Sequence, residues 1–189
     1  MSESLRALLD EIASPGPLPG AGFVCALAVG MAAGLVTMAA RLSKEWPDAR
    51  GMAAQAEALR RRVTPLAERN AQAYFEAVTA LGRLGGTNPG GGDDQLAKAL
   101  ARSAVIPLEI ARGAADVATL AAEVAESGDP SLRPDAAVAA ALCFAGARGA
   151  AALVEVNLAT APGDERLARA KVHVEEAADS LERALDAVG

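Results

Sequence analysis

The sequence predicts an all-α protein: a single up-and-down bundle of about six helices with an uncharged central helix. Three observations carry this expectation. Of 189 residues, 48 are alanine, the best intrinsic helix former because it loses no side-chain freedom on folding. Only 3% are aromatic and β-branched residues are few, so the pleated faces of a sandwich or barrel have little to build from. Apolar residues reach 52% against 22% charged, which supplies a core and argues against disorder.

The elements follow in order. Ser2 to Ala13 reads as a short amphipathic helix with Leu5, Leu8, Leu9 and Ile12 on one face. It stops at the rigid turn Ser14-Pro15-Gly16-Pro17-Leu18-Pro19-Gly20. No charge occurs between Ile12 and Ala40, and Phe23 to Ala40 is continuously apolar or small, which predicts the central helix over about Ala21 to Ser43. Its length would suit a bilayer. Its Ala- and Gly-rich composition and the prolines at its entrance favour a core helix of a soluble bundle, so no membrane is expected as a partner. A third helix runs from about Trp46 to Leu81, with Pro47 at its start and a kink expected at Pro65. Gly82 to Gly92 reads as a glycine-rich surface loop. A fourth helix covers about Asp93 to Ser127, interrupted near Pro107, and Gly128-Asp129-Pro130 is the next turn. The last two helices run from about Pro134 to Ala159 and from about Gly163 to Val188. The connections are short and nothing repeats, so residues 1–189 are expected to form one domain.

Charge and cysteines narrow the partners. A net charge of −6 argues against nucleic acid, which needs a basic face. The basic run Arg60-Arg61-Arg62 reads as a solvated, salt-bridged helix face. Cys25 and Cys143 have no C-x-x-C spacing and His173 is the sole histidine, so no metal site is expected. Free buried thiols suit a cytoplasmic protein, and the polar stretch from Met1 to Ile12 does not read as a signal peptide.

Three features could carry chemistry. Pro19-Gly20-Ala21-Gly22 opens directly into an apolar helix, where unpaired amides attract anionic or carbonyl groups and glycine lets a ligand approach the backbone. Asp135 heads an otherwise uncharged run, with Asn157 at its far end; it either complements the helix dipole or serves as a partly buried base. Glu109 sits in the kinked apolar segment Ile106-Pro107-Leu108-Glu109-Ile110, as a surface ion pair or as part of a pocket wall. No serine or cysteine has a histidine in a readable triad pattern.

Taken in order, these segments resemble the cyclodeaminase/cyclohydrolase family: the cyclodeaminase domain of formiminotransferase-cyclodeaminase and the bacterial methenyltetrahydrofolate cyclohydrolases. The matching stretches are Ser14-Pro15, Pro19 to Gly22, Leu35-Val36-Thr37-Met38, Ile106 to Ala111, Gly128-Asp129-Pro130, Pro134 to Ala139, Arg148-Gly149-Ala150 and Val156-Asn157-Leu158. The resemblance implies a homodimeric helical bundle that binds a tetrahydrofolate derivative in a crevice. It implies either ammonia release from 5-formiminotetrahydrofolate with ring closure, or hydrolysis of the 5,10-methenyl bridge to the 10-formyl compound. No metal or further cofactor is implied. It assigns Asp135 to catalysis and Pro19, Gly20, Ala21, Gly22, Asn157 and Glu109 to substrate binding. Phe23, Arg41, Asn70, Pro134 and Leu153 stand where the family usually keeps polar or acidic residues. These departures carry the alternative reading, a homologue that binds another small molecule or a protein without catalysis.

Overall fold

The computed structural model describes residues 3–15, 19–84 and 92–189. It is all-α, with eight helices and no strand among the described residues. The helices are α1 (Glu3–Ile12), α2 (Ala21–Leu42), α3 (Ala49–Val63), α4 (Leu66–Leu84), α5 (Gly92–Ser103), α6 (Val105–Ser127), α7 (Arg133–Asn157) and α8 (Glu165–Asp186), and a 3₁₀ turn, Pro130–Leu132, leads into α7. The third and fourth expected helices are each divided in two. Pro65 supplies no N–H to the carbonyl of Arg61, so α3 ends at Val63 and α4 restarts at Leu66. Pro107 likewise leaves the Ser103 carbonyl without its helical donor, and the chain breaks at Ala104. Of the expected loop from Gly82 to Gly92, residues 85–91 lie outside the described residues; α4 extends to Leu84 and α5 begins at Gly92.

Alanine sets the packing. Gly146 of α7 lies so near Val29 of α2 that a Cβ there would stand 2.7 Å from Val29 Cγ2, and a Cβ on Gly149 would stand 2.7 Å from Cys25 Sγ. These contacts run α2 and α7 antiparallel, at a separation that only small residues allow. At one end the pair is pinned by Ser43. Its buried hydroxyl donates to the Ala39 carbonyl at 2.9 Å and accepts the Asp129 N–H at 2.8 Å.

α6 is the most enclosed element, buried from Ile106 to Ala125 on nearly every face. α2 is uncharged as far as Ala40 and packs on α3, α4, α6 and α7, yet it keeps one open side through Val24, Met31, Met38 and Leu42. α2 and the segment Pro130–Asn157 are both long and apolar enough to cross a membrane, and half of each such stretch is buried inside the bundle. None of the α1 residues is buried.

The surface charges pair locally. Arg60 and Arg61 both bond Glu57, and Arg62 bonds Asp116 of α6, which matches the salt-bridged face expected for that run. At α8, Asp164 caps the helix through the Arg166 N–H and holds the Arg166 guanidinium, which in turn donates to the Ala101 carbonyl of α5 at 2.6 Å.

Two expectations follow. Gly146→Val forces a branched side chain into Val29 and should lower stability by about 1–3 kcal/mol, whereas Gly51→Ala, where a Cβ meets nothing within 4 Å, should raise it by about 0.5–1 kcal/mol through helix propensity; urea midpoints at constant slope read both. The Asp164 carboxyl is held down at about 2, chiefly by its hydrogen bonds to the Arg166 side chain. Its stabilising contribution is therefore present above the ordinary carboxylate range and fades as pH falls toward that value. Asp164→Ala should lower Tm at neutral pH, and the gap to wild type should narrow between pH 4 and pH 2; a gap independent of pH would show that the charge contributes nothing.

Candidate functional site

The N-terminal end of α2 meets the C-terminal end of α7 beside the α5–α6 break, and a cavity of about 280 Å³ opens there. Gly20, Ala21, Gly22, Asn70, Tyr74, Ser103, Pro107, Leu153, Val156 and Asn157 line it. Each contribution has a local cause. Gly20 is the extended N-cap of α2 and offers no capping side chain, so the first amides of that helix have no intrahelical acceptor at the cavity. Asn70 comes from α4, where it lies against Gly22 so closely that a Cβ on residue 22 would fall 2.2 Å from Asn70 Nδ2. The proline that breaks α5 from α6 supplies one wall, and Ser103, whose carbonyl loses its helical donor at the break, lines another. The Ser103 hydroxyl is engaged with the Leu100 carbonyl at 2.7 Å. Asn157 closes the C-terminus of α7, with the apolar side chains of Leu153 and Val156 beside it.

Among the described residues the lining is neutral: amide donors, two carboxamides, a phenol and apolar walls, with no carboxylate, histidine or cationic side chain. Such a site can hold a flat heterocycle by its donor and acceptor edge and exclude water from one face. It tolerates positive charge on a ligand, because no cationic side chain among the described lining residues opposes it. A volume near 280 Å³ is at the small end of small-molecule sites, enough for a fused ring system whose substituents run out over the surface.

Of the expected site residues, the structure brings Gly20, Ala21, Gly22 and Asn157 together in this cavity. Pro19, next to Gly20, is half-buried at the entrance turn. Glu109 is exposed on α6 and pairs with Arg69 at 3.4 Å, away from the cavity lining. Asp135 stands in the first turn of α7, and at 1.5 Å per residue it is about 33 Å along the helix from Asn157. Arg133, beside it, has a buried Nε with no acceptor among the described residues.

Tyr74, Ser103 and Val156 join the site without having been singled out for it, whereas Pro107 is the kink read above as one way to shape a pocket wall. Asn70 and Leu153 drew notice only as departures. A signal did exist: Ser103 is a lone hydroxyl four residues before a helix-breaking proline. Phe23 does not enter the cavity but packs against the core, so this substitution leaves the site open. Cys143 is buried and Cys25 half-buried, both are free, and burial pushes both thiols up, away from the reactive thiolate form. No group of three or more metal-ligating side chains occurs among the described residues.

Other clefts have different chemistry. One of about 610 Å³ lies at the opposite end of α2, between Arg41, Lys44, Trp46, Arg50 and Glu57. It is wider and more open, its cations are exposed, and it lacks the glycine approach to a helix end.

Comparison with known proteins places these features in a context. Residues 4–176 match the formiminotransferase-cyclodeaminase family. The chain is 31% identical over 165 residues to a methenyltetrahydrofolate cyclohydrolase of Methylorubrum extorquens, spanning 82% of this chain and 79% of that one. Its fold is similar to that of formiminotetrahydrofolate cyclodeaminase from Thermotoga maritima, with a TM-score of 0.76 over 100% of this chain and 93% of the other at 24% identity.

The Gly22–Asn70 contact yields a direct test. Gly22→Ala should drive the Asn70 carboxamide out of its present position, shifting the side-chain NH₂ resonances of Asn70 in an ¹⁵N spectrum; unchanged resonances would contradict the close contact.

Proposed function

The chain belongs to the formiminotransferase-cyclodeaminase family, and from that premise we propose that it is a folate one-carbon enzyme that hydrolyses the 5,10-methenyl bridge of a tetrahydrofolate. The observation that carries the reading is the neutral cavity in which Gly20 to Gly22, Asn70 and Asn157 converge. A methenyl bridge is a cationic N–CH–N unit. Water adds to its carbon and gives up a proton to a base, the bond from that carbon to N5 then breaks as N5 takes that proton, and the hydroxyl proton leaves as the formyl C=O forms. The products are the 10-formyl compound and one proton, so charge and atoms balance with water as the only co-substrate.

The cavity residues fit these demands. Asn70 and Asn157 can each donate and accept, which suits the mixed edge of a pterin ring. The helix amides at Gly20 to Gly22 can donate to a ring carbonyl. The walls of Pro107, Leu153 and Val156 keep bulk water from the ring while one side stays open for the attacking molecule. The identity to the Methylorubrum cyclohydrolase supports this reaction ahead of ammonia release from a 5-formimino substrate.

A homodimer and a cytoplasmic location complete the reading. The first is supported by the uncovered apolar sides of α2 and α7.

The test is the loss of methenyltetrahydrofolate absorbance with time. Wild type should exceed buffer, and Asn70→Ala and Asn157→Ala should each lower kcat/KM by about 10-fold or more, the worth of about 1.5–3 kcal/mol for a hydrogen bond to a charged group. A wild-type rate equal to buffer, with ammonia released from 5-formiminotetrahydrofolate instead, would replace hydrolysis by the cyclodeaminase reaction.

A further inference from the structure

We propose that the cleft of about 610 Å³ at the C-terminal end of α2 binds a nucleoside di- or triphosphate, with the phosphates on Arg41, Lys44 and Arg50 and the base on the indole of Trp46. The proposal stands apart from the folate reading. The length of α2, 22 residues or about 33 Å, separates this cleft from the cavity at Gly20 to Gly22, and the two share no lining residue.

Charge is the first observation. The chain carries a net charge of −6, yet three cations line this one cleft. Arg41, Lys44 and Arg50 have no side-chain partner among the described residues, although Glu45 and Asp48 stand between them in the sequence. The later arginines of α3 behave otherwise: Glu57 takes up Arg60 and Arg61, and Asp116 takes up Arg62. Glu57 also lines the cleft, so its charge is already met, and Glu45 is the one free carboxylate among the described lining residues. Like charges gathered on one wall repel, and an anion that joins them relieves that cost.

The backbone adds to the side chains. α3 begins at the rim of the cleft, where Ala49 and Arg50 line it. Its N-cap, Asp48, makes no capping hydrogen bond, and the Arg50 and Gly51 N–H groups have no acceptor among the described residues. Free amides at a helix start carry partial positive charge and suit phosphate oxygens. Arg41 and Arg50 each offer a planar fork that takes two such oxygens, and Lys44 adds a point charge. Three cations and two amides are more than one carboxylate or one phosphate can occupy, which points to a chain of two or three phosphates.

The apolar part of the lining separates a nucleotide from bare oligophosphate. Ala40, Ala49 and Ala53 are buried there, so the floor is made of methyl groups and no large side chain fills the space. Trp46 stands beside them, half-buried and packed in part against the main core. Its N–H donates to the Ser43 carbonyl at 3.1 Å and its own carbonyl accepts the Ala49 N–H at 3.1 Å, which fixes the residue before any ligand arrives. A fixed aromatic face stacks a base at little further cost in order. Phosphates alone would leave the indole and the methyl floor uncovered, whereas a base covers them and holds its phosphates toward the cationic rim. The volume lies within the range of small-molecule sites.

Trp46 is the sole tryptophan of the chain, so its fluorescence reports this cleft alone. ATP added to the purified protein should quench that emission saturably, and added salt should weaken the binding because the cations are exposed. Adenosine, which lacks the anion, should bind about 10-fold more weakly or worse, and pyrophosphate should compete with ATP at lower affinity while leaving the emission nearly unchanged. Arg41→Ala/Arg50→Ala removes two exposed side chains that hold nothing in the fold. It should weaken ATP by about 10-fold or more with the helical circular dichroism intact. Asn70→Ala, in the other cavity, should leave ATP affinity as it is. No saturable quenching at millimolar ATP in low salt would overturn the proposal, as would ATP binding that the double variant leaves unchanged. Pyrophosphate that binds as tightly as ATP would overturn the nucleotide assignment and make the ligand a free oligophosphate.

Discussion

Everything in this molecule depends on how near α7 can come to α2. Gly146 and Gly149 let two helices of more than twenty residues touch backbone to side chain, and that one approach fixes their antiparallel register. The register in turn decides what meets at each end. At one end the Ser43 hydroxyl receives the Asp129 amide and ties the α6–α7 turn to the end of α2. At the other, the glycine turn that starts α2 faces the last turn of α7, and a cavity forms between them. Dispersion between many small groups does the holding here, with few large side chains taking part.

The same economy shapes the chemistry. A bundle made of alanine has little volume to spare for a pocket, so its cavity appears where helical continuity fails: at the N-cap of α2, at the Pro107 break and at the C-terminus of α7. Each failure exposes backbone polar groups that a regular helix would consume. The groups lining the cavity are therefore largely backbone amides and carbonyls, with two asparagines adding reach, and among the described residues Tyr74 is the one titratable side chain there.

Much of this was legible in the sequence, for identifiable reasons. Helix content followed from alanine, and the two divided helices followed from Pro65 and Pro107, read as a kink and an interruption. The glycine turn, read as a helix entrance open to a ligand, and Asn157, read from the resemblance, both come to line the cavity. Tyr74, Ser103 and Val156 were not legible, because they reach the cavity from three separate helices and the register among those helices is set by contacts such as Asn70 on Gly22 that no local pattern encodes. Glu109 was readable either as a surface ion pair or as part of a pocket wall, and the 100° step per residue, which puts Pro107 inward and Glu109 outward, decides for the ion pair with Arg69.

Position 22 and position 70 occupy one space between them. Any side chain on residue 22 displaces the carboxamide of Asn70, and a smaller residue at 70 would leave a void beside Gly22. Neither position is then free to vary alone. Across a lineage the two should change as a unit, and a drift in substrate preference that begins at one of them must pass through the other, so the narrowest contact at the site also limits the routes by which its specificity can evolve.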